Sequence, residues 1–350
     1  MRPLKKVLIT FVDDFLIASY LAKELEKLSI EVDIYITNYS GHWLHKYLFK
    51  RANKLARSLR LVPAHTDLFW WSRFSYKRFQ DQEFKNRIDA FKPDLILCIH
   101  GQRFGEAPLR NTNIPKFGWW VEPNPDRETL VRFASLFDLY LSYDSELVDV
   151  LNSCNIHSQY QSHVASPSDF YPIQKKTKQL DVLMYGGWSP WREEVLFSAY
   201  QATKNIALYG NGWPKKCTLF SKADLFKIYR GKEVIGADLN QEINNSTIVV
   251  NAQRLKGFST GLDTRVFDVL ASGALLLTDA PKDLFRHFED QQDLLVYERS
   301  SEVPGLIKAI LSGKFDAERI KRRGREKVLE RLTYQVLSQK ILDEFAKRWQ

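Results

Sequence analysis

Several features are scarce in this 350-residue chain, and each scarcity excludes a class of protein. The only cysteines are Cys98, Cys154 and Cys217, which are too few and too far apart for a disulfide framework or a cysteine-rich zinc site. The 13 Pro and 16 Gly residues, beside 44% hydrophobic residues, are too few for a disordered or fibrous protein. No apolar run approaches the ~20 residues of a membrane-spanning helix. We therefore expect a folded protein in a reduced, cytoplasmic setting.

Acidic residues are absent from one long stretch of the chain. The sequence has 51 Lys and Arg residues against 42 Asp and Glu residues, a formal net charge of +9. Between residues 34 and 66 there is no acidic residue, but there are six basic ones: Lys46, Lys50, Arg51, Lys54, Arg57 and Arg60. Net charge of this kind bears on binding partners rather than on the fold. An anionic ligand or surface is therefore expected.

Short apolar strands alternate with amphipathic helices along the whole chain, a pattern typical of parallel α/β sheets. The pattern restarts near residue 180, after a segment rich in Pro, Ser and Lys. We predict two doubly wound Rossmann-like domains that face each other across a cleft. The predicted parts are an N-terminal domain at 1–165 with a basic aromatic insert at 40–80, a linker at 166–179, a C-terminal domain at 180–335, and a C-terminal helix at 336–350 that packs back on the N-terminal domain.

The most informative pattern is NAQRLKGFSTGLDTRVFDVLASGALLLTD at 251–279. It joins a strand, a loop containing Gly257 and Gly261, a helix and a second strand. Glycines let backbone N–H groups approach a ligand, and a helix N-terminus favours an anion. Arg254 and Arg265 can add charge-assisted contacts to phosphate oxygens, and Asp268 follows Arg265 on the same helical face. The pattern indicates a phosphorylated ligand, although an ordinary loop with a surface Arg–Asp pair has the same spacing.

The run RVFDVLASG before an apolar strand resembles spore-maturation-type glycosyltransferases. These belong to the GT-B superfamily of two-domain enzymes that transfer sugars from nucleotide donors. Other stretches resemble the same family: LDVLMYGGWSPWREEVL, NIALYGNGW and DLLVYERSSEVPGLIKAIL in the C-terminal half, and KFGWWVEPNPD and SHVASPSDFYP before the domain joint. The resemblance covers about residues 115–340 and implies a GT-B fold, with the acceptor in the N-terminal domain and the donor in the C-terminal domain.

The resemblance also implies that a nucleoside diphosphate sugar is a co-substrate and that no cofactor is held permanently. The donor-binding residues that it implies are Gly187, Arg192, Gly210, Arg254, Thr260, Gly261, Arg265 and Asp268. Arg192 is the expected phosphate partner and Arg265 its support, so that charge on the leaving nucleoside diphosphate is stabilised. Many retaining members of the superfamily have a Glu-x7-Glu pair, whereas this chain has Thr260 and Asp268 at those two positions.

Metal ligands at familiar spacings are missing, since the sequence contains no Asp-x-Asp triplet and no His-x3-His pair. We therefore predict no metal site. Three polar residues at predicted strand ends are candidates for a catalytic base: Asp13, His100 and Glu122. Each also has a structural alternative: a helix cap for Asp13, a turn hydrogen bond for His100, and an ion pair with Arg127 for Glu122. His163, near the domain joint, is a further candidate to line the cleft.

A leucine stripe within the basic stretch predicts an amphipathic helix over residues 43–60. The stripe consists of Leu44, Leu48, Leu55 and Leu59, preceded by Trp43 and Tyr47. In one interpretation, the leucines dock the helix on the sheet and the Lys and Arg side chains are solvated. In the other, residues 43–60 bind an anionic membrane surface, which places the protein peripherally on the inner face of a membrane. The two interpretations are compatible.

Four functions are consistent with these patterns. The leading hypothesis is a metal-independent glycosyltransferase that acts on a glycan, a lipid-linked acceptor or a protein. A nucleotide-sugar epimerase of the same architecture is the first alternative. Thr260 raises a second alternative, a non-catalytic sugar- or nucleotide-binding protein. A nucleic-acid-binding protein is the third, which the basic charge suggests, but the sequence disfavours it because no recognised nucleic-acid-binding motif occurs.

Overall fold

A computed structural model describes residues 3–11, 16–36, 42–63, 66–100, 106–123, 126–174 and 178–349. Six parallel strands form the N-terminal sheet in the order β2-β1-β3-β4-β5-β6. Their bounds are β1 Lys6–Phe11, β2 Glu31–Ile36, β3 Leu95–Ile99, β4 Lys116–Trp120, β5 Leu139–Ser142 and β6 Ser158–Tyr160. The helices of this half are α1 Ile17–Lys27, α2 Lys50–Ser58 with a preceding π-helical turn His45–Phe49, α3 Tyr76–Phe91, α4 Ala107–Arg110, α5 Arg127–Ala134 and α6 Ser145–Ser153.

A second sheet of six parallel strands has the order β12-β11-β10-β7-β8-β9. Its strands are β7 Leu180–Tyr185, β8 Ile206–Tyr209, β9 Tyr229–Gly231, β10 Ser246–Asn251, β11 Leu276–Asp279 and β12 Leu295–Tyr297. Its helices are α7 Pro190–Ala202, α8 Trp213–Lys216, α9 Lys222–Ile228, α10 Gly236–Asn245, α11 Thr264–Ala271, α12 Val303–Leu311, α13 Ala317–Arg331 and α14 Tyr334–Trp349, with 3₁₀ turns at Lys282–Arg286 and Ser300–Glu302. Two Rossmann-like domains are therefore present, as the sequence predicted.

The chain crosses between the two halves at two adjacent places. Ala165 N donates to Leu332 O at 2.8 Å, and Tyr334 N donates to Ala165 O at 3.1 Å, so the outgoing and returning segments run side by side. Helix α14 then packs on the N-terminal half, where Leu337 and Ile341 join the core formed by β1, β3 and α1. The last helix thus completes the N-terminal half.

Side chains at strand ends and helix starts explain much of the agreement with the sequence patterns. Strand β3 is buried along its whole length and is a continuous apolar run, and the three apolar residues at the centre of β10 are buried as well. Helices α5 and α6 begin after Asp126 and Asp144, whose carboxylates accept hydrogen bonds from the third backbone N–H that follows. The short edge strands β6 and β9 were not predicted, because their three-residue segments are too polar and too short to show a period.

The expectation that leucines dock the basic helix on the sheet is wrong. Leu48, Leu55 and Leu59 are exposed, whereas the buried side chains of this segment are Phe49 and Asn53, followed by Ala56. The spacing predicted a helix correctly, but it did not reveal which face turns inward. Among the described residues, no helix is both long and apolar enough to cross a membrane.

Candidate functional site

A cavity of about 630 Å³ lies between the two halves, where the carboxyl ends of their parallel strands face each other. Its N-terminal wall includes Tyr20, Glu122, Tyr143 and His163. Its C-terminal wall includes Gly186, Gly187, Arg192, Gly210, Arg254, Gly261, Arg265 and Asp268. The structure thus places seven of the eight predicted donor-binding residues, and His163 and Glu122, on one cavity.

Two glycines allow the ends of β7 and β8 to meet. Gly186 has φ +126° and Gly210 has φ +152°, backbone conformations that other residues rarely adopt. A Cβ atom on Gly210 would lie 1.9 Å from Gly186 O, so any side chain would separate the two strand ends. Ser189 then caps α7 by accepting a hydrogen bond from Arg192 N, which starts the helix directly after the glycine turn.

The guanidinium groups of Arg192 and Arg265 converge behind Gly186. A Cβ atom on Gly186 would lie 2.7 Å from Arg265 Nη1 and 2.9 Å from Arg192 Nη1. Arg192 donates from Nε to Ala252 O at 2.9 Å and from Nη1 to Gly187 O at 2.8 Å. Arg265 donates from Nε to Asn251 Oδ1 at 2.7 Å. Both cations are therefore held in fixed positions at the cavity wall.

Burial makes the charge of Arg192 costly. Its residue is 4% exposed, and burial lowers the pKa of Arg192 to about 9, with the nearby Arg265 cation acting in the same direction. Asp263 opposes this effect and also forms an ion pair with Arg265. An anion bound against these guanidinium groups would offset their mutual repulsion and favour the charged form of both. The site is therefore suited to a phosphorylated ligand.

Three acidic residues that the sequence analysis missed organise this wall. Asp263 pairs with Arg265, and Asp279 accepts hydrogen bonds from Trp191 Nε1 at 2.9 Å and Gln253 N at 2.8 Å. Glu193 accepts from Trp188 Nε1 at 2.6 Å, which fixes the residue that follows the glycine turn. Asp279 ends β11, so the strand-end rule could have identified it. Glu193 gave no such signal, because it lies inside a helix.

The remaining predicted donor residues occupy different depths of the cavity. Arg254 is exposed at the rim. Asp268 is half-buried, and burial raises its pKa well above the usual range, with a further contribution from Asp263. Gly187 turns its carbonyl oxygen toward Arg192. The helix α11 thus carries a cation and a carboxyl group to the same cavity, as the Arg265–Asp268 spacing predicted.

Thr260 lies beside the cavity and joins the two halves. Its Oγ1 atom is 2.7 Å from Asp144 Oδ1 and 2.9 Å from Asp283 Oδ2. Ser145 adds two hydrogen bonds to Asp283, from its backbone N at 2.9 Å and from Oγ at 2.6 Å. The structure therefore gives the Thr260 hydroxyl two carboxylate partners, Asp144 in the N-terminal half and Asp283 in its own half. Its assignment to donor binding stays a prediction.

Gly261 allows the neighbouring loop to touch the N-terminal half. A Cβ atom at this position would lie 2.3 Å from Tyr143 O, a contact that only glycine permits. Its carbonyl oxygen accepts a hydrogen bond from Gln253 Nε2 at 2.8 Å. The glycine that the sequence assigned to phosphate binding therefore also sets the distance between the halves.

Two of the three candidate bases lie next to each other. His100 Nε2 is 3.3 Å from Glu122 Oε2. The imidazole of His100 stacks on the Trp120 ring at 4.6 Å, and its Nδ1 atom has no hydrogen-bond partner among the described residues. The Glu122 side chain is 49% exposed and lines the cavity. Asp13 lies outside the described residues.

His163 is a buried, neutral part of the cavity wall. The residue is 4% exposed, and its Nε2 lies 2.9 Å from Val121 O. Because a carbonyl oxygen only accepts, Nε2 carries the proton and Nδ1 is an acceptor. Burial lowers the pKa of His163 to about 4. Within the described parts of the chain, no group of three or more His, Cys, Asp or Glu residues could hold a metal ion.

Comparisons with known proteins agree with this geometry. A family profile described as "Glycosyl transferase-like" matches residues 192–343. The chain is similar to the structure of HepE from Anabaena in complex with UDP and glucose, with a TM-score of 0.66, 11% identity, and 98% of this chain and 100% of that chain covered. Sucrose-phosphate synthase from Thermosynechococcus elongatus gives a TM-score of 0.69 at 11% identity, with 98% of each chain covered.

A third similar structure is AviGT4, described as a glycosyltransferase involved in avilamycin A biosynthesis, with a TM-score of 0.63 at 12% identity, covering 99% of this chain and 98% of that chain. Curated protein sequences give no match. The fold of this chain is GT-B, and the match to the family described as "Glycosyl transferase-like" lies in its C-terminal half.

Proposed function

We propose that the protein transfers a glycosyl group, such as a hexose, from a nucleoside diphosphate sugar to a glycan, lipid-linked or protein acceptor, without a metal ion. The observation that carries this proposal is the convergence of Arg192 and Arg265 behind Gly186. Two fixed guanidinium groups can neutralise the charge that develops on a leaving diphosphate. They would supply the positive charge that a metal ion provides in other phosphate sites.

Asp268 and the glycine turn support the same orientation of the donor. The carboxyl group of Asp268 lies on the helix that carries Arg265, one turn further along. There it can accept hydrogen bonds from ribose hydroxyls. The complexes of HepE contain UDP and UDP-glucose, so UDP is the first nucleotide and UDP-glucose the first donor to test. Gly187, Gly210, Arg254, Thr260 and Gly261 remain proposed members of the donor site.

Glu122 is the best-placed candidate for the catalytic base on the opposite wall. It lines the cavity, and the contact with His100 Nε2 can hold its carboxylate in one orientation. His163 faces the same cavity but is kept neutral, so we assign it to shaping the wall. We propose a place at the inner face of a membrane for the protein, and the spore-maturation type for its sequence family.

Thermal unfolding with a panel of nucleoside diphosphates and nucleotide sugars tests the proposal. A ligand at 100 times its Kd stabilises the folded state by about 2.7 kcal/mol, so the preferred nucleotide is expected to raise the unfolding temperature clearly and its nucleoside much less. The selected nucleotide sugar is then incubated with and without candidate acceptors. Conversion of the free nucleotide sugar without an acceptor would favour an epimerase. If none of the nucleotides raises the unfolding temperature, the proposal is contradicted.

A further inference from the structure

Nearly all of the net positive charge lies in one segment, residues 42–79. This segment contains nine of the 51 Lys and Arg residues and one of the 42 Asp and Glu residues, so the rest of the chain is almost neutral. The single acidic residue, Asp67, accepts hydrogen bonds from Asn53 Nδ2 at 2.7 Å and from Phe69 N at 3.0 Å. The six basic side chains between residues 46 and 60 are all exposed.

In the helix of this segment the polar residue Asn53 is buried, whereas three leucines are exposed. Asn53 is 5% exposed, with its Oδ1 accepting from Leu68 N at 2.9 Å. Leu48, Leu55 and Leu59 are 56%, 61% and 59% exposed. An exposed leucine is common, but a row of them at helical spacing beside basic residues forms an amphipathic face without a protein partner among the described residues.

Aromatic side chains of the same segment are exposed as well. Trp43, Trp70 and Trp71 are each more than 60% exposed. Arg78 holds two of them in place, since its Nη1 donates to Trp71 O at 3.1 Å and its guanidinium lies 5.8 Å from the centre of the Trp70 ring. Tryptophan prefers the boundary between water and lipid, where its ring is apolar and its N–H stays hydrated.

The exposed side chains belong to a packed unit. Phe49, at the end of the π-helical turn, stacks on Phe69 with ring centres 4.1 Å apart. His42 stacks on Phe74 at 4.2 Å, which joins the two ends of the segment. We use the name outer face for the exposed apolar side chains of this unit, Trp43, Leu48, Leu55, Leu59, Trp70 and Trp71, together with the basic residues of 46–60.

We propose that the outer face docks the protein on an anionic lipid bilayer. A bilayer of this kind offers phosphate groups to the lysines and arginines and an apolar interior to the leucines and tryptophans. A second copy of the chain would bring two strongly basic surfaces together. A nucleic acid would bind the charges but give the exposed leucines no apolar environment. The combination of charge and apolar side chains therefore favours lipid.

The outer face follows closely in the chain after a strand end on the side of the N-terminal sheet where the cavity lies. Strand β2 ends at Ile36, on the edge of the sheet where the carboxyl ends of β3 and β4 also lie, and the described segment resumes at His42. Six residues of chain span at most about 20 Å. The docking does not depend on glycosyl transfer. Its consequence, that the acceptor is lipid-linked rather than a free glycan or protein, rests on the proposed function.

Vesicle flotation tests the docking with the full chain. We compare vesicles of phosphatidylcholine alone with vesicles that contain 30% phosphatidylglycerol. The wild type is expected to float only with the anionic vesicles and to be released by high salt. Lys50→Gln/Lys54→Gln is expected to weaken partitioning about thirtyfold, equivalent to about 2 kcal/mol at roughly 1 kcal/mol per cation. Leu55→Ser/Leu59→Ser is expected to weaken it at least tenfold on vesicles of the same charge.

Matched variants on other exposed surfaces serve as controls. Leu219→Ser/Leu311→Ser removes two exposed leucines, and Lys222→Gln/Lys314→Gln removes two exposed lysines, in the C-terminal half. Both are expected to float like the wild type. Stabilisation by the preferred nucleotide is measured on every variant and is expected to be unchanged. Failure of docking is thereby separated from failure of the proposed function.

Three results would overturn the docking proposal. The first is no flotation, or equal flotation with neutral and anionic vesicles. The second is unaltered binding by Leu55→Ser/Leu59→Ser, which would reduce the effect to charge alone, as expected for a nucleic-acid site. The third is that the wild type forms a dimer and does not bind vesicles, and that Leu55→Ser/Leu59→Ser is monomeric. This result would make the outer face a contact between two copies.

Discussion

Cationic side chains occur in two contrasting settings in this molecule. In the cavity, Arg192 and Arg265 are held by carbonyl and amide oxygens, close to Gly186 and shielded from water. In the segment 42–79, the basic side chains are more numerous, and those between 46 and 60 are exposed. Fixed guanidinium groups select a small anion of defined shape. Long exposed cations select only a negatively charged surface.

The uncharged side chains of the two regions also differ in burial, and in the opposite sense to their polarity. The cavity wall buries an imidazole, His163, whereas the basic segment exposes Leu55. Residue type alone would have predicted the opposite arrangement. Burial is decided by specific partners: His163 has Val121 O, and Asn53 has Asp67 and the backbone of Leu68. Two predictions test how much each setting contributes to stability.

The larger effect is expected at His163. Its pKa is about 4 in the folded protein and about 6.5 when unfolded, so the unfolded state binds the extra proton first as the pH falls. The stability that the neutral imidazole contributes is complete above pH 6.5 and is lost between pH 6.5 and pH 4. The loss is about 3 kcal/mol at 1.36 kcal/mol per pKa unit.

Urea unfolding of the wild type and His163→Gln across this pH range measures the effect. Glutamine keeps an N–H donor for Val121 O but does not titrate. The variant is expected to lose about 3 kcal/mol less than the wild type between pH 7.5 and pH 4, whatever its stability at pH 7.5. Parallel pH profiles for the two proteins would show that His163 is not a buried neutral group.

The smaller effect is expected at Leu55. Because its side chain is 61% exposed, Leu55→Ala should change the free energy of unfolding by less than about 0.5 kcal/mol. The matched change Leu21→Ala, at a leucine with 0% exposure in the N-terminal core, should lower it by about 2–5 kcal/mol. Similar losses in both variants would mean that Leu55 is buried in solution and would remove the contrast between the two regions.

The sequence predicted the parts of the molecule that depend on local pattern. Strand and helix alternation gave both sheets, and RVFDVLASG placed Arg265 and Asp268 on one helix facing the cavity. The glycine turn after β7 was also found, because a strand followed by Gly186 and Gly187 is visible without knowledge of the fold.

The rest depends on contacts that no sequence pattern marks, whether the two residues are distant or near in the chain. Thr260 meets Asp144 across 116 positions, and Glu193 meets Trp188 within a helix start that has no special pattern. The orientation of the basic helix was misjudged because its leucines form a regular stripe while its true inner face includes a polar residue, Asn53. Periodicity showed that a face exists but not what covers it.

Calorimetric binding of the selected nucleoside diphosphate and its nucleoside tests the central claim, that Arg192 and Arg265 form the diphosphate site. Arg192→Ala and Arg265→Ala are compared with the wild type and with Arg322→Ala, which removes an exposed arginine from α13. Nucleoside binding provides the check that each variant is folded.

We predict that either cavity variant weakens diphosphate binding about 10–100-fold, because each lost contact to a charged group is worth about 1.5–3 kcal/mol. Nucleoside affinity and the Arg322→Ala variant should match the wild type. A wild-type preference for the diphosphate that persists in both cavity variants would contradict the account.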